Sequence, residues 1–190
     1  MNIVKDEPKL KNNNSSYEID GWEDEKLDLK PKLVRGIYSM GFEIPSSIQK
    51  TALYPMIHNV INNRHRDIIA QAQSGTGKTG AFSVGTLQLI DETSDDTQAL
   101  ILAPTHELAD QTAKVIKQLG HYLKIRSLLL VGGTSVDKNK RDLNDMKPHV
   151  VVGTPGRIND MMKKGHFKTD YLRLFVMDEA DEMLSRGFKA

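Results

Sequence analysis

The sequence predicts an α/β fold, a parallel sheet with helices on both faces, and three observations carry that expectation. From about residue 67 onward, short apolar runs rich in β-formers alternate with longer segments of helical periodicity. The runs are apolar throughout instead of alternating with polar residues, which marks strands buried on both faces. The first run leads directly into a Gly-rich turn and then a helical pattern, the order of a β-turn-α unit.

Taken in order, residues 1–20 are polar, with Asn12, Asn13, Asn14, Ser15 and Ser16 in sequence, and read as a flexible tail preceding a single domain over 21–190. Leu33, Val34, Ile37 and Tyr38 recur at helical spacing, and Gly41 stands where a left-handed cap would end that helix. Ser46 or Ser47 caps a second helix carrying Ile48, Leu53, Met56 and Ile57, with Pro55 as an expected kink. Strands are then expected at 67–72, 99–103, 125–131, 150–152 and 172–177. Helices are expected between them at 78–90, 107–123, 136–143 and 157–163.

Composition narrows the function classes. The 190 residues carry 26 Lys and Arg against 25 Asp and Glu, a net charge of +1, so no global positive field draws the whole chain to nucleic acid or membrane. The first thirty residues sum to −3, leaving +4 for the remainder, so any nucleic-acid contact is local. Cysteine is absent, which removes disulfides, thiolate catalysis and Cys-based zinc sites. No apolar run approaches the roughly 20 residues that span a bilayer, and the N-terminus has no secretory h-region. An intracellular protein is expected.

Two segments carry chemistry. Gln73-Ser74-Gly75-Thr76-Gly77-Lys78-Thr79 lies between a strand and a helix, where glycines let backbone N–H groups close on phosphate oxygens at the positive end of the helix dipole. Lys78 would reach the β- and γ-phosphates and Thr79 would hold Mg²⁺; Ala72 replaces the first glycine of the strict pattern. A flexible Gly/Ser/Thr turn is the structural alternative. The run 172–177 ends in Asp178-Glu179-Ala180-Asp181. An acid at the end of a strand beside a phosphate cradle is placed to hold Mg²⁺, and its neighbour Glu179 to polarise an attacking water. An acidic first turn of a following helix is the alternative there.

These segments stand in a longer series. Gly41-Phe42-Glu43-Ile44-Pro45-Ser46-Ser47-Ile48-Gln49, Ala72 to Thr79, Ala103-Pro104-Thr105-His106-Glu107-Leu108-Ala109, Gly132-Gly133, Thr154-Pro155-Gly156-Arg157 and Asp178-Glu179-Ala180-Asp181 follow one another in the order of the DEAD-box RNA helicases. Over 21–190 the chain resembles that family, and Gly36-Ile37-Tyr38 and Ala70-Gln71-Ala72-Gln73 liken it to the translation initiation factor four A subgroup. The resemblance implies a RecA-like P-loop NTPase fold, the first helicase domain only. It implies ATP-driven clamping on the RNA backbone with local duplex unwinding, with ATP and Mg²⁺ as cofactors, and the subgroup likeness implies a place in translation initiation.

Residue by residue, the resemblance assigns catalysis to Lys78, Asp178 and Glu179, and Mg²⁺ to Thr79 and Asp178, partly through water. It assigns nucleotide binding to Phe42, Ile44 and Gln49 together with Ala72, Gln73, Ser74, Gly75, Thr76, Gly77, Lys78 and Thr79. The Gln49 amide, both donor and acceptor, suits adenine N6 and N7, with Phe42 stacking on the ring. RNA contacts fall to Pro104, Thr105, Gly132, Gly133, Thr154, Pro155, Gly156 and Arg157, with Arg157 as the charged phosphate contact, and interdomain coupling to Asp181. Implied partners are single-stranded or duplex RNA through its sugar-phosphate backbone and initiation-factor-like scaffold proteins, for a cytoplasmic monomer without a membrane.

Three departures qualify this. His106 stands where the family has arginine, weakening a phosphate contact there. Trp22 is displaced by about two residues from the family's upstream aromatic. The sequence stops before a Ser-Ala-Thr strand and a second RecA-like domain with its arginine fingers, so a gap beside the 172–177 strand and little ATPase activity from these residues alone are expected. A catalytically silent nucleotide- or partner-binding module is the alternative reading. A DNA helicase is a third, which the glutamine and Asp-Glu-Ala-Asp pairing disfavours.

Overall fold

In a computed structural model of the protein, residues 17–61 and 67–185 are described; most of the expected 1–20 tail lies outside them. In chain order the elements are α1 (Pro31–Ser39), α2 (Ser47–Ile61), α3 (Lys78–Leu89), β1 (Ala99–Leu102), α4 (His106–Leu119), β2 (Ser127–Leu130), α5 (Val136–Met146), β3 (Val150–Gly153), α6 (Pro155–Lys163), β4 (Leu174–Met177) and α7 (Ala180–Ser185). The strands form one sheet in the order β2-β3-β1-β4, and every pairing is parallel. Leu102 lies beside both Gly153 and Met177, and Leu130 beside Gly153, so all four strands end level. Their outgoing loops therefore leave at one edge, the place where α/β sheets bind ligands.

Strand alternation divides the core as the sequence leads one to expect. Ala99, Ile101, Val150 and Val152 face one side, packed with Leu33, Ile37, Val84, Leu87, Ile116 and Leu119 from α1, α3 and α4. Leu100, Leu128, Leu130 and Val151 face the other, against Leu143 of α5 and Ile158 and Met161 of α6. Helices thus cover both faces, each large buried side chain contributing about 1.5–3 kcal/mol relative to exposure. Polar caps fix where helices start: the Thr105 hydroxyl accepts the Leu108 N–H at 3.2 Å and the Ser135 hydroxyl accepts the Lys138 N–H at 3.3 Å. Gly41 follows α1 with φ +77°, the left-handed stop read from the sequence.

Two expectations need correction. Residues 67–72 form no strand: Ile69 is 98% exposed, and the segment has no ladder partner among the described residues. Among the described residues nothing pairs with the outer side of β4. Leu174 and Val176 pack on the core, while Phe175 and Met177, on the opposite face, are exposed. The packed region also begins before residue 21. Ile19 is fully buried, its N–H donates to the Lys50 carbonyl at 3.2 Å, and Trp22 is buried in the same cluster. Trp22, the candidate for the family's upstream aromatic, is a core residue here.

Candidate functional site

The loop before α3 is a tight turn closed on Gln73, whose carbonyl accepts both the Thr76 N–H at 3.4 Å and the Thr76 hydroxyl at 2.7 Å. Gly75 and Gly77 hold φ of +79° and +102°, conformations in which a side chain is strained. Gly77 is the N-cap of α3, so no side chain occupies the helix entrance, and the first N–H groups of α3 point outward at the positive end of its dipole. Ser74, Gly75 and Thr76 are exposed, and Lys78 and Thr79 open the helix. An anion is what such a concavity accepts.

Gln49 packs against this loop. It is buried, accepts the Ser46 N–H at 2.8 Å and donates through Nε2 to the Gly77 carbonyl at 3.2 Å. A β-carbon added at Gly77 would lie 2.7 Å from Ser46 Oγ and 2.9 Å from Gln49 Nε2, and one at Gly80 would lie 2.7 Å from the same nitrogen. The amide is thus fixed at the cradle by one hydrogen bond at each end, leaving a second Nε2 hydrogen and a second Oε1 lone pair for a ligand. Phe42 is half-buried, packed on the core near Gly80, whereas Ile44 projects into solvent.

At the end of β4 the Asp178 N–H continues the ladder to the Leu102 carbonyl at 2.9 Å, and the chain then turns sharply through Glu179, whose φ is +48°. The Glu179 N–H donates to Asp178 Oδ1 at 3.1 Å. Burial, and then the neighbouring Glu179 charge, hold the Asp178 carboxyl above the usual carboxylate range. Lys78 Nζ reaches Glu179 Oε1 at 3.1 Å, so the phosphate loop and the acidic turn meet directly. No group of three His, Asp or Glu side chains among the described residues could hold a metal alone. One buried, under-compensated carboxylate beside a phosphate cradle fits Mg²⁺, which takes one or two protein oxygens and completes its shell with phosphate and water.

The remaining predicted residues line the same sheet edge. Pro104 is buried, Thr105 caps α4, Gly132 and Gly133 are exposed after β2, and Thr154, Pro155 and Gly156 start α6. His106 is exposed at the head of α4, and Asp181 is exposed in the first turn of α7. Arg157 is engaged within the protein: Nη1 donates to Thr134 Oγ1 at 2.9 Å and to Asn139 Oδ1, and Nη2 to the Thr134 carbonyl at 2.8 Å. Sequence reasoning did not single out Asn139 on α5, which holds Arg157 here; the sequence carries no signal for it, because its burial appears only in the packed chain.

Residues 46–190, more than half of the chain, match the profile of the DEAD/DEAH box helicase family. The chain belongs to that family. Among curated relatives of this DEAD-box chain, eukaryotic initiation factor 4A of Drosophila melanogaster is 53% identical over 86% of the chain and 39% of its own length. The ATP-dependent RNA helicase eIF4A of Chaetomium globosum is 51% identical over 92% of the chain and 42% of its own length. The chain thus spans about two fifths of the length of these relatives. Among solved structures, a DEAD box protein of Methanococcus jannaschii superposes with a TM-score of 0.81 at 33% identity, covering 90% of this chain and 44% of that one. Saccharomyces cerevisiae Dbp5 bound to RNA and ADP BeF3 superposes at 0.77 and 42% identity, covering 86% and 39%. The fold is therefore the RecA-like domain of DEAD-box helicases.

Proposed function

We propose that the chain is the ATP-binding domain of a DEAD-box ATP-dependent RNA helicase, in which ATP binding and hydrolysis drive clamping on the RNA backbone and local unwinding. The observation that carries this reading is the meeting of Lys78 with Glu179 at 3.1 Å, which brings the phosphate loop and the acidic turn into one site. Lys78 leaves Glu179 for the β- and γ-phosphates when nucleotide enters. Glu179, released from the ion pair, then orients and polarises the attacking water. Thr79 and Asp178 would hold Mg²⁺, which when bound would neutralise phosphate charge. Gln49 reads adenine with its remaining donor and acceptor, and Phe42 and Ile44 flank the base.

Thr105, the exposed Gly132 and Gly133, and the 154–157 turn supply hydroxyl, backbone and guanidinium contacts to RNA sugar and phosphate, an arrangement with little sequence preference. Asp181 carries coupling to a second domain. The kinship with eIF4A supports a cytoplasmic monomer working with scaffold proteins in translation initiation. No helix among the described residues is long and apolar enough to cross a membrane.

The test is ATP hydrolysis with and without single-stranded RNA, on this chain and on a version extended to the length of its relatives, with binding of a fluorescent ADP measured alongside. RNA-stimulated turnover in the extended protein alone, with nucleotide bound by both, is the expected result. Nucleotide binding without turnover in either overturns the helicase reading and leaves a silent nucleotide-binding module. Equal binding of ATP and GTP removes the role given to Gln49.

A further inference from the structure

The guanidinium of Arg157 is held by uncharged atoms alone. Its three bonds go to Thr134 Oγ1, Asn139 Oδ1 and the Thr134 carbonyl, and among the described residues it forms no ion pair. Asn139 is 3% exposed, and its Oδ1 also lies 3.0 Å from the Thr134 hydroxyl, which in turn reaches the Val131 carbonyl at 2.9 Å. One side chain on α5 thereby ties the loop after β2 to the first turn of α6. Arginine has five N–H donors, and these bonds use both hydrogens of Nη1 and one of Nη2, leaving the Nε hydrogen and one Nη2 hydrogen.

A carboxylate of the same shape at position 139 would accept the same bonds more strongly. It would also cancel the charge it holds. We propose that Asn139 is a positioning residue for backbone binding: a neutral tether that fixes Arg157 between the loop after β2 and the first turn of α6 while leaving its full positive charge for a phosphate of single-stranded RNA. This rests on the RNA-binding reading above. The burial of Asn139 Oδ1 is compatible with this geometry, because a buried acceptor is tolerated where it is bonded, and this one accepts from the group it orients.

The test is equilibrium binding of a fluorescein-labelled oligo-uridine by the 190-residue chain across a NaCl titration, with thermal melts of each variant. Arg157→Ala removes one phosphate contact, so it weakens binding and lowers the slope of log affinity against log salt by about 1. Asn139→Asp is expected to melt at or above the wild-type midpoint and yet to show the same loss of slope. Asn144→Asp adds the same charge at an exposed position on α5 and is expected to leave the slope unchanged. Wild-type affinity and slope in Asn139→Asp, with Arg157→Ala impaired, overturn the neutral tether and leave the RNA reading intact. Wild-type binding by Arg157→Ala overturns the tether together with the phosphate contact it serves, and no RNA binding by the wild-type chain overturns the RNA reading as well. Should Asn139→Asp fail to fold, Asn139→Ala decides: weaker binding at unchanged slope supports a tether that positions a charge, and unchanged affinity refutes it.

Discussion

Lys78 and Glu179 lie 101 positions apart in the chain, and their charged ends meet at 3.1 Å. Both side chains are about a quarter to a third exposed, so the pair contributes little to stability, on the order of 0–1 kcal/mol. Such a weak pair suits the proposed exchange, in which a triphosphate displaces the carboxylate from the ammonium at small cost. Two variants separate the roles. Lys78→Ala is expected to abolish binding of a fluorescent ADP while shifting urea stability by less than about 1 kcal/mol. Glu179→Gln is expected to keep nucleotide binding, and in a protein of the relatives' length to lower ATP turnover by about 10²–10⁴. Equal loss of binding and turnover in Glu179→Gln would contradict the water-orienting role.

The phosphate loop allows a sharper stability test because its two glycines differ in surroundings. At Gly75 a β-carbon would meet open space, so Gly75→Ala costs only the left-handed backbone, about 1–2 kcal/mol. At Gly77 the same backbone cost is joined by contacts of 2.7 Å to Ser46 Oγ and 2.9 Å to Gln49 Nε2. Gly77→Ala is therefore the more destabilising in urea unfolding and the more damaging to nucleotide binding. Equal midpoints for the two variants would mean that Gln49 does not press on the loop.

In the proposed reading, Gln49 links stability to base choice. Its truncation to alanine leaves the Ser46 N–H and the Gly77 carbonyl without their partners, each part-buried, at a cost of roughly 1–3 kcal/mol where water does not replace them. The same variant is expected to lose discrimination between ATP and GTP in competition against fluorescent ADP. Retained preference for ATP in Gln49→Ala would assign base reading to another group.

How much of this was legible depended on whether local pattern or distant partners decided the outcome. The alternation of apolar runs and helical segments located β1 to β4 and α3 to α6 to within a few residues, because burial on both faces of a parallel sheet writes itself into the strand. Residues 67–72 also hold a short apolar run, yet Ile69 is exposed, because a strand also requires a hydrogen-bonding neighbour, which no local pattern reports. The glycines and acids of the candidate site stand out in the sequence because phosphate chemistry constrains residue type and spacing. Asn139 was not, since its role exists only once α5 stands beside α6. Ile19 and Trp22 were assigned or spaced by sequence neighbours, and their burial beneath the N-terminal segment became visible only in the packed chain.

At the opposite edge of the sheet, His149 gives a pH dependence whose sign can be worked out. It is fully buried, with Nδ1 accepting the Arg126 N–H at 3.1 Å and Nε2 lying 2.8 Å from the Ser94 carbonyl. A carbonyl only accepts, so Nε2 carries the hydrogen and the ring is held in one neutral tautomer. Burial pushes its pKa below the ordinary value, and the Arg126 guanidinium adds to this; the Ser94 carbonyl, Asp95 and Glu92 pull upward without overcoming it. Lys147, paired with Asp95 at 2.8 Å, offsets part of that acid's pull. Because the unfolded chain then binds the proton more readily than the folded one, this contribution to stability is complete above about pH 6.5 and is lost as pH falls below it. Charging the ring would place a second hydrogen against the Arg126 N–H. Urea midpoints measured from pH 7.5 to 5 are therefore expected to fall in the wild-type chain and to fall less in His149→Gln, whose amide can accept and donate at the same two points without titrating. Parallel curves for the two proteins would show that the acid sensitivity lies elsewhere.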